Sequence, residues 1–535
     1  MNDKSSAIET DVVVVGAGFG GIYALHKFRG LGFSVQGFEI ADDVGGTWYW
    51  NRYPGARCDV ESMDYSFSFD EALQQEWTWT ERYAAQPEIQ AYIAHVADRF
   101  DLRPLIQFET RVDAAIWDET AGRWTITTDH GQRYSARFVI LATGSLSTPK
   151  EPDIAGLSDF AGEVLFTSNW PKSSVTIAGK RVGVIGTGSS AIQAIPLLAG
   201  QAEHLTVFQR TPNFSMPARN RPLTPDQLSK VKSDYAEHRR KTRASRAGVI
   251  AYGTEKSAHE VDDEARTACF EEAWNRGGSG FPSTFTDIMR DPAANDYAAQ
   301  FVRSKIAEQV SDPETAEILS PRDYPLGAKR VALDTNYYQT FNKANVTVKD
   351  LRKNPLRRIV AAGVETSDGV TPLDTLVLAT GFDAMTGSFL RVGIRGVEGK
   401  TLREHWSAGP RTYLGLMAHG FPNLFLVAGP GSPSVLSNMV LSIEQHIEWI
   451  ADCILSLQCQ GKHRIEAEAE AEEGWVSRLN NIASGTLFMK GNSWYLGANV
   501  PGKPRVFMPF LGGISEYRRL CDEAVSNNYK GFARS

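Results

Sequence analysis

Short apolar runs, each closed by a glycine-rich turn, recur along this chain and set its expected architecture. Asp11–Val15 is a β-branched run with no polar break after its first residue, the pattern of a strand buried on both faces. Ile22–Phe28 reads as the helix that follows, and Ser34–Phe38 as a second strand ending at Glu39. Lys180–Ile185 repeats the pattern, with a helix after it and another strand at His204–Phe208. Between the two units, Arg111–Trp117, Trp124–Thr128 and Arg137–Leu141 predict a small β excursion, whose last strand enters Leu141–Gly144 (LATG). Asp374–Leu378 predicts one more buried strand, followed by Ala379–Asp383 (ATGFD), an echo of the first strand end. From Leu223 to Asp312 the pattern is charged and helical, with little β character. Late in the chain, Leu436, Val440, Ile443, Ile447, Ile450, Ile454 and Leu457 recur at steps of three and four, one face of a long amphipathic helix packed on the core. The expected class is α/β, with two Rossmann-like domains and an α-helical insertion in the second.

Gly16, Gly18 and Gly21 stand in GxGxxG spacing between the first strand and its helix. The first glycine reverses the chain, the second lets backbone approach a pyrophosphate, and the third lets helix pack on strand. The helix N-terminus then faces the phosphate charge. Glu39 stands where an acid accepts ribose hydroxyls. Gly186, Gly188 and Ala191 repeat the turn as GxGxxA, with Thr187, Ser189 and Ser190 as hydroxyl donors beside it. Two cradles predict two dinucleotides, with hydride passing from a nicotinamide to a flavin. The strand of the second unit ends in Gln209-Arg210-Thr211, without an acid. An acid there would repel a 2′-phosphate and Arg210 can grip one, so NADPH is expected rather than NADH. Asp43–Asp59 (DVGGTWYWNRYPGARCD) packs aromatics and turn residues directly after the first unit, which predicts an isoalloxazine wall and assigns FAD to that unit. Gly491–Lys503, holding Trp494 and Tyr495, is expected to be a mobile lid near 490–504. The expected domains are FAD-binding at 1–150 and 381–535, NADP-binding at 151–222 and 321–380, and a helical insertion at 223–320. Pro149–Asp159 reads as the linker between them.

Composition narrows the class. At 535 residues the chain is too long for one ordinary core. A net charge of −7 argues against nucleic acid as a partner. No apolar run is long enough for a membrane span, and the polar start MNDKSSAIETD has no export signal. Cys58, Cys269, Cys453, Cys459 and Cys521 form no CxxC pair and no metal spacing, which fits reduced thiols in the cytoplasm and disfavours a disulfide reductase. Glu466–Glu473 (EAEAEAEE) is expected to be exposed and without chemistry. Nothing indicates a metal or an obligate protein partner.

Several longer motifs remain: GGTWYWNRYPGARCD (Gly45–Asp59), GTGSSAIQ (Gly186–Gln193), FQRTPNF (Phe208–Phe214), GAKR (Gly327–Arg330), GPGSPSVLSNM (Gly429–Met439) and NSWYLGANVPGKPRVFMPF (Asn492–Phe510). With these the chain resembles the single-component, NADPH-using flavoprotein Baeyer–Villiger monooxygenases over nearly its full length, and most the branch of phenylacetone and steroid monooxygenases. One mark departs: where the family fingerprint between the domains has histidine, Phe160-x-Gly162-x-x-x-Phe166-x-x-x-Trp170-Pro171 has Phe166. The resemblance implies that NADPH reduces FAD and that oxygen then gives a C4a-peroxyflavin. That species converts a cyclic, aryl-alkyl or steroidal ketone to an ester or lactone, with sulfoxidation as a side activity. It implies catalytic roles for Arg330 and for Asp59, which orients it. Thr47, Trp48, Asp59, Tyr65, Val112 and Met439 are implied as flavin-side contacts. Arg210, Thr211 and Lys329 are implied at the 2′-phosphate, Trp494 as the lid residue over the nicotinamide nucleotide, and Ser434, Val435 and Leu436 at the substrate. The alternatives are an N- or S-oxidising flavin monooxygenase and a non-catalytic NADPH/flavin redox sensor.

Overall fold

In the computed structural model, which describes residues 7–150, 152–250 and 252–535, each of the two expected nucleotide units owns a sheet. The first sheet runs in the order Gly393–Arg395, Val112–Asp118, Arg123–Thr128, Arg133–Leu141, Ile8–Val15, Val35–Phe38, Ile106–Gln107. Leu424–Leu426 pairs parallel to the end of Arg133–Leu141. Val12, Val13 and Val14 are fully buried, because the helix Phe19–Gly30 covers one face of their strand and a second apolar cluster around Trp124 and Phe389 covers the other. The second sheet has five strands, all parallel: Val346–Asp350, His204–Gln209, Arg181–Ile185, Thr375–Leu378 and Glu163–Phe166. Strands sandwiched between layers cannot alternate, which is why both units read as unbroken apolar runs.

Ser215–Pro217 and Ala332–Asp334 pair parallel to one another, and the described chain between them is helical. Its helices start on side-chain caps. Thr224 closes a capping box on Pro225–Lys232, and Asp262, Asp291 and Asp312 accept amide protons at the starts of Asp263–Arg276, Pro292–Gln309 and Pro313–Leu319.

Three expectations need correction. Pro149–Asp159 is not a free connector in its second half: the Ile359 N–H donates to the Ala155 carbonyl at 2.8 Å, and Ile154 and Leu157 pack on the second sheet's cluster. Their partner is an antiparallel three-stranded piece, Leu356–Val360, Gly363–Thr366 and Gly369–Pro372, whose short strands carry no clear pattern. The helix Met439–Cys459 is amphipathic only in its second half. From Val440 to Ile447 every side is buried, including Ser442, Glu444, Gln445 and His446. Glu472 of the acidic run is likewise buried, accepting from His405 Nε2 and from the His419 N–H, both at 3.0 Å.

Candidate active site

The two glycine turns are built alike. Gly16 has φ +103° and Gly186 φ +112°, and a Cβ there would come within 2.6 Å of the Ala142 carbonyl and 2.5 Å of the Ala379 carbonyl respectively. Ala142 and Ala379 occupy matching places in the two LATG strand ends, so each echo seats its own turn. A Cβ on Gly21 would lie 1.7 Å from the Gly16 carbonyl, whereas Ala191 is accommodated, fully buried, at the matching place. Gly18 and Gly188 are the N-caps of Phe19–Gly30 and Ser189–Ala199, and neither helix has a side-chain cap. Their first amide groups are therefore free for an anion. A Cβ on Gly188 would meet nothing within 4 Å, an open cradle that a pyrophosphate fits. At the first turn, Glu39 is buried, and its carboxylate accepts the Ala17 N–H at 2.7 Å and the Ala41 N–H at 3.0 Å. Burial pushes its carboxyl up, against the pull of these amides. Val112 buries its side chain in the first sheet. It lies two residues beyond Thr110, whose N–H donates to the Glu39 carbonyl at 2.9 Å.

The hydroxyls beside the second turn are partly committed within the protein. Thr187 Oγ1 donates to the Thr211 carbonyl at 2.8 Å, and Ser190 lies close to Tyr53, a residue of the aromatic loop. The Tyr53 hydroxyl donates to Gln193 Oε1 at 2.8 Å, and Gln193 Nε2 donates to the Arg57 carbonyl at 3.1 Å. The helix of the second unit is thus stitched to the loop of the first, while Ser189 is half-buried at the cradle's rim. Arg210 leaves the end of His204–Gln209 exposed, and Lys329 lies with Nζ 4.4 Å from the centre of the Tyr324 ring. Burial and then the charge of Arg210 lower the Lys329 ammonium below its ordinary value. Among the described residues, neither cation pairs with a carboxylate.

Arg330 and Asp59 meet between the two units. Nε of Arg330 donates to Asp59 Oδ2 at 2.7 Å and Nη2 to Oδ1 at 2.9 Å, a bidentate pair, and Nη1 donates to the Val435 carbonyl at 2.6 Å. Burial alone would raise the Asp59 carboxyl, but the guanidinium outweighs it and holds it below the usual range. Burial alone would likewise weaken the charge on Arg330, yet Asp59 and the Tyr495 hydroxyl beside it hold the cation more firmly than in water. Tyr495, buried on the lid loop, is a contact that the expected set of residues omitted. Its signal was the Trp494-Tyr495 pair in a glycine-rich loop.

Thr47 begins the short helix Thr47–Trp50, and Trp48 Nε1 donates to the Tyr65 hydroxyl at 3.2 Å, so the aromatic loop is a packed wall. Of the expected substrate residues, Ser434 is fully buried and its hydroxyl donates to the Ala428 carbonyl at 3.2 Å. Val435 gives its carbonyl to Arg330. Leu436 and Met439 are half-buried at the margin of an apolar cluster with Leu146, Trp494, Phe507 and Met508. The lid loop is docked: Asn499 Nδ2 donates to the Phe382 carbonyl at 2.7 Å and Lys503 Nζ to Asp383 Oδ1 at 2.8 Å. Ser493 Oγ and Asn499 Oδ1 are buried without a partner among the described residues, polar atoms that a bound ligand would satisfy. Phe166 ends the edge strand of the second sheet and packs with the apolar cluster of Phe160, Ile185 and Leu378, so no polar group stands in its place.

A family profile described as pyridine nucleotide-disulphide oxidoreductase matches residues 13–272. All five cysteines are nevertheless unpaired. Acetone monooxygenase (methyl acetate-forming) from Gordonia sp. (strain TY-5) is 41% identical over 99% of this chain and 100% of its own length. Phenazine N-monooxygenase from Lysobacter antibioticus is 43% identical over 99% and 97%. The solved structure of an oxidised steroid monooxygenase bound to NADP is 52% identical, with a TM-score of 0.95 over 98% of this chain and 99% of that one.

Proposed function

The chain belongs to the flavoprotein Baeyer–Villiger monooxygenases, and from that membership we propose how its residues divide the work. It is an NADPH- and oxygen-dependent enzyme that oxidises a ketone to an ester or lactone with FAD. When bound, NADPH supplies hydride to FAD, and reduced FAD with oxygen supplies the attacking oxygen atom.

Residues 1–150 and 381–535 hold FAD through Gly16, Gly18, Gly21 and Glu39, with Thr47, Trp48, Tyr65, Val112 and Met439 around it. Residues 151–222 and 321–380 hold NADPH through Gly186, Gly188 and Ser189 at the pyrophosphate and Arg210, Thr211 and Lys329 at the 2′-phosphate. The helical insertion at 223–320 forms part of the substrate wall. The observation that carries the mechanism is the clamp on Arg330. Its contacts to Asp59 and to the Val435 carbonyl fix the guanidinium plane and leave N–H groups on both Nη atoms. A cation that cannot lose its proton keeps an attacking oxygen anionic, the form that adds to a carbonyl. The remaining N–H groups then stabilise the oxyanion that forms on the ketone carbon. Asp59 acts by orienting and charge-balancing Arg330. Trp494 and the docked lid exclude water. Leu436 and the apolar margin around it suit a neutral ketone, which need not desolvate a charge. The enzyme works in a reducing cytoplasm and needs no protein partner.

The test is a panel of cyclic, aryl-alkyl and steroidal ketones under excess NADPH, with products identified and hydrogen peroxide measured. Ester or lactone is expected. Oxygenation of amines or sulfides with no ketone product would move the enzyme to the N-oxygenating side of its relatives.

A further inference from the structure

We propose that Lys150 is a third cation of the 2′-phosphate pocket and helps set the preference for NADPH over NADH, an inference that rests on assigning the second glycine turn to that nucleotide. Lys150 follows the first LATG motif by six residues and had no assigned role, because nothing in its local pattern points to the second unit. The fold brings it there. Its N–H donates to the Gly381 carbonyl at 3.1 Å, and Pro149 forms a bridge with Phe382. Lys150 is therefore pinned against the chain leaving Thr375–Leu378, at the carboxyl end of that strand. The same segment seats the second turn, through the Ala379 carbonyl beside Gly186.

Arg210 arrives from the other side. In the sheet, Arg181–Ile185 lies between Thr375–Leu378 and His204–Gln209, so Lys150 and Arg210 come from the two neighbours of the strand that carries the turn. The crevice at the carboxyl ends of parallel strands is where such folds take their ligands. Lys329 completes the group from above the Tyr324 ring. Three cations thus share one crevice, and among the described residues none of them has a carboxylate partner within ion-pair distance. Like charges gathered without a counter-ion cost the free protein energy. Burial and then Arg210 weaken the ammonium of Lys150 as they do that of Lys329, against the opposing pull of Asp153 on the first and Asp323 on the second. A dianion relieves this repulsion. The pyrophosphate is already served by the open cradle at Gly188, and Arg210 stands where an acid would meet the ribose in an NADH site. A cation coupled to Arg210 therefore faces the 2′-phosphate.

The experiment compares 2′,5′-ADP with 5′-AMP, which differ only by the 2′-phosphate, by calorimetric titration of the FAD-loaded enzyme. Wild type, Lys150→Gln, Lys150→Arg and Arg210→Gln are measured at low and moderate salt. Lys150→Gln should weaken 2′,5′-ADP about tenfold, the scale of one charge-assisted contact, and 5′-AMP by no more than about twofold. Lys150→Arg should restore the affinity, and the loss should shrink as salt rises. An equal loss for both ligands would place Lys150 at the 5′-phosphate and overturn the proposal. No loss in Lys150→Gln alongside a clear loss in Arg210→Gln would also overturn it, with the NADPH assignment intact. A wild type that binds both ligands equally would remove that assignment, and the proposal with it.

Discussion

Replacing Arg330 with alanine separates the catalytic role of the guanidinium from its structural one. The side chain makes two charge-assisted contacts to Asp59, at 2.7 and 2.9 Å, and a third to the Val435 carbonyl at 2.6 Å. Breaking a fully buried ion pair from one side costs about 3–5 kcal/mol, because the other charge is left without a partner. Here the side chains of Arg330 and Asp59 are 30% and 23% exposed, so water screens part of that charge. A loss of about 2 kcal/mol in stability is the resulting expectation. The catalytic loss is larger: removing one preorganised oxyanion donor costs about a hundred- to a thousandfold in kcat, or about 3–4 kcal/mol. The assay follows NADPH consumption, ester formation and hydrogen peroxide in parallel on FAD-loaded protein. Arg330→Ala should still consume NADPH, with the oxygen leaving as hydrogen peroxide. The double variant Asp59→Ala/Arg330→Ala should recover stability, since the orphaned carboxylate is gone, but not ester formation. Ester formation by Arg330→Ala within about tenfold of wild type would refute the assignment, as would its return in the double variant.

Gly188→Ala should leave the melting temperature unchanged and raise the KM for NADPH severalfold, because its Cβ points into the open cradle; Gly21→Ala should destabilise the fold, since its Cβ would sit 1.7 Å from the Gly16 carbonyl. Burial pushes the Asp334 carboxyl up to about 6 from 3.8, against hydrogen bonds from Ser215 and Tyr337. Its native state favours the protonated acid, so the stability it contributes is full below about pH 4 and is lost as pH rises through about 6, about 3 kcal/mol in all. The melting temperature of wild type relative to Asp334→Asn should fall across that window, and a constant difference would contradict the shift. His446 has the opposite sign. Burial and then Arg518 push its imidazole down to about 3 from 6.5, so the stability it contributes is present above about pH 6.5 and is lost as pH falls toward 3. Nδ1 accepts the N–H of Ala428, a residue at φ +53°, at 2.9 Å, and an asparagine oxygen can take that role. His446→Asn should keep turnover and flatten the acid limb of a melting-temperature profile, whereas His446→Phe should lose stability at every pH.

The two nucleotide units were legible because their strands are buried on both faces and their turns require glycine at fixed spacing. Gly16 and Gly186 have positive φ, and Gly21 has no room for a methyl group, so the spacing reflects backbone geometry. The charged insertion was legible for a similar reason, since helical patterning and the lack of alternation are local. Less was legible where burial comes from distant chain. Glu472, and Ser442, Glu444, Gln445 and His446 in the first turns of Met439–Cys459, are polar residues that the tertiary fold encloses, and no local pattern announces that. The strands within 356–372 are four or five residues long and mix buried, half-buried and exposed positions, so they carry no apolar run.

The chemistry-bearing pair lies further still from any local signal. Asp59 and Arg330 are 271 positions apart, and their residue types alone fit an ordinary salt bridge. Their roles were expected only through resemblance to a family, whereas the bidentate contact, the Val435 carbonyl and Tyr495 come from the fold. Lys150 shows the same division, because it ends one unit in sequence and borders the other unit's crevice in space. By itself the sequence determined what short-range sterics and burial dictate: two glycine cradles, their strands and helices, and a basic rather than acidic residue at Arg210. The tertiary structure decided which charges meet and which are left without a counter-ion. That depends on long-range chain return and on the low-dielectric space it encloses, which no local spacing encodes.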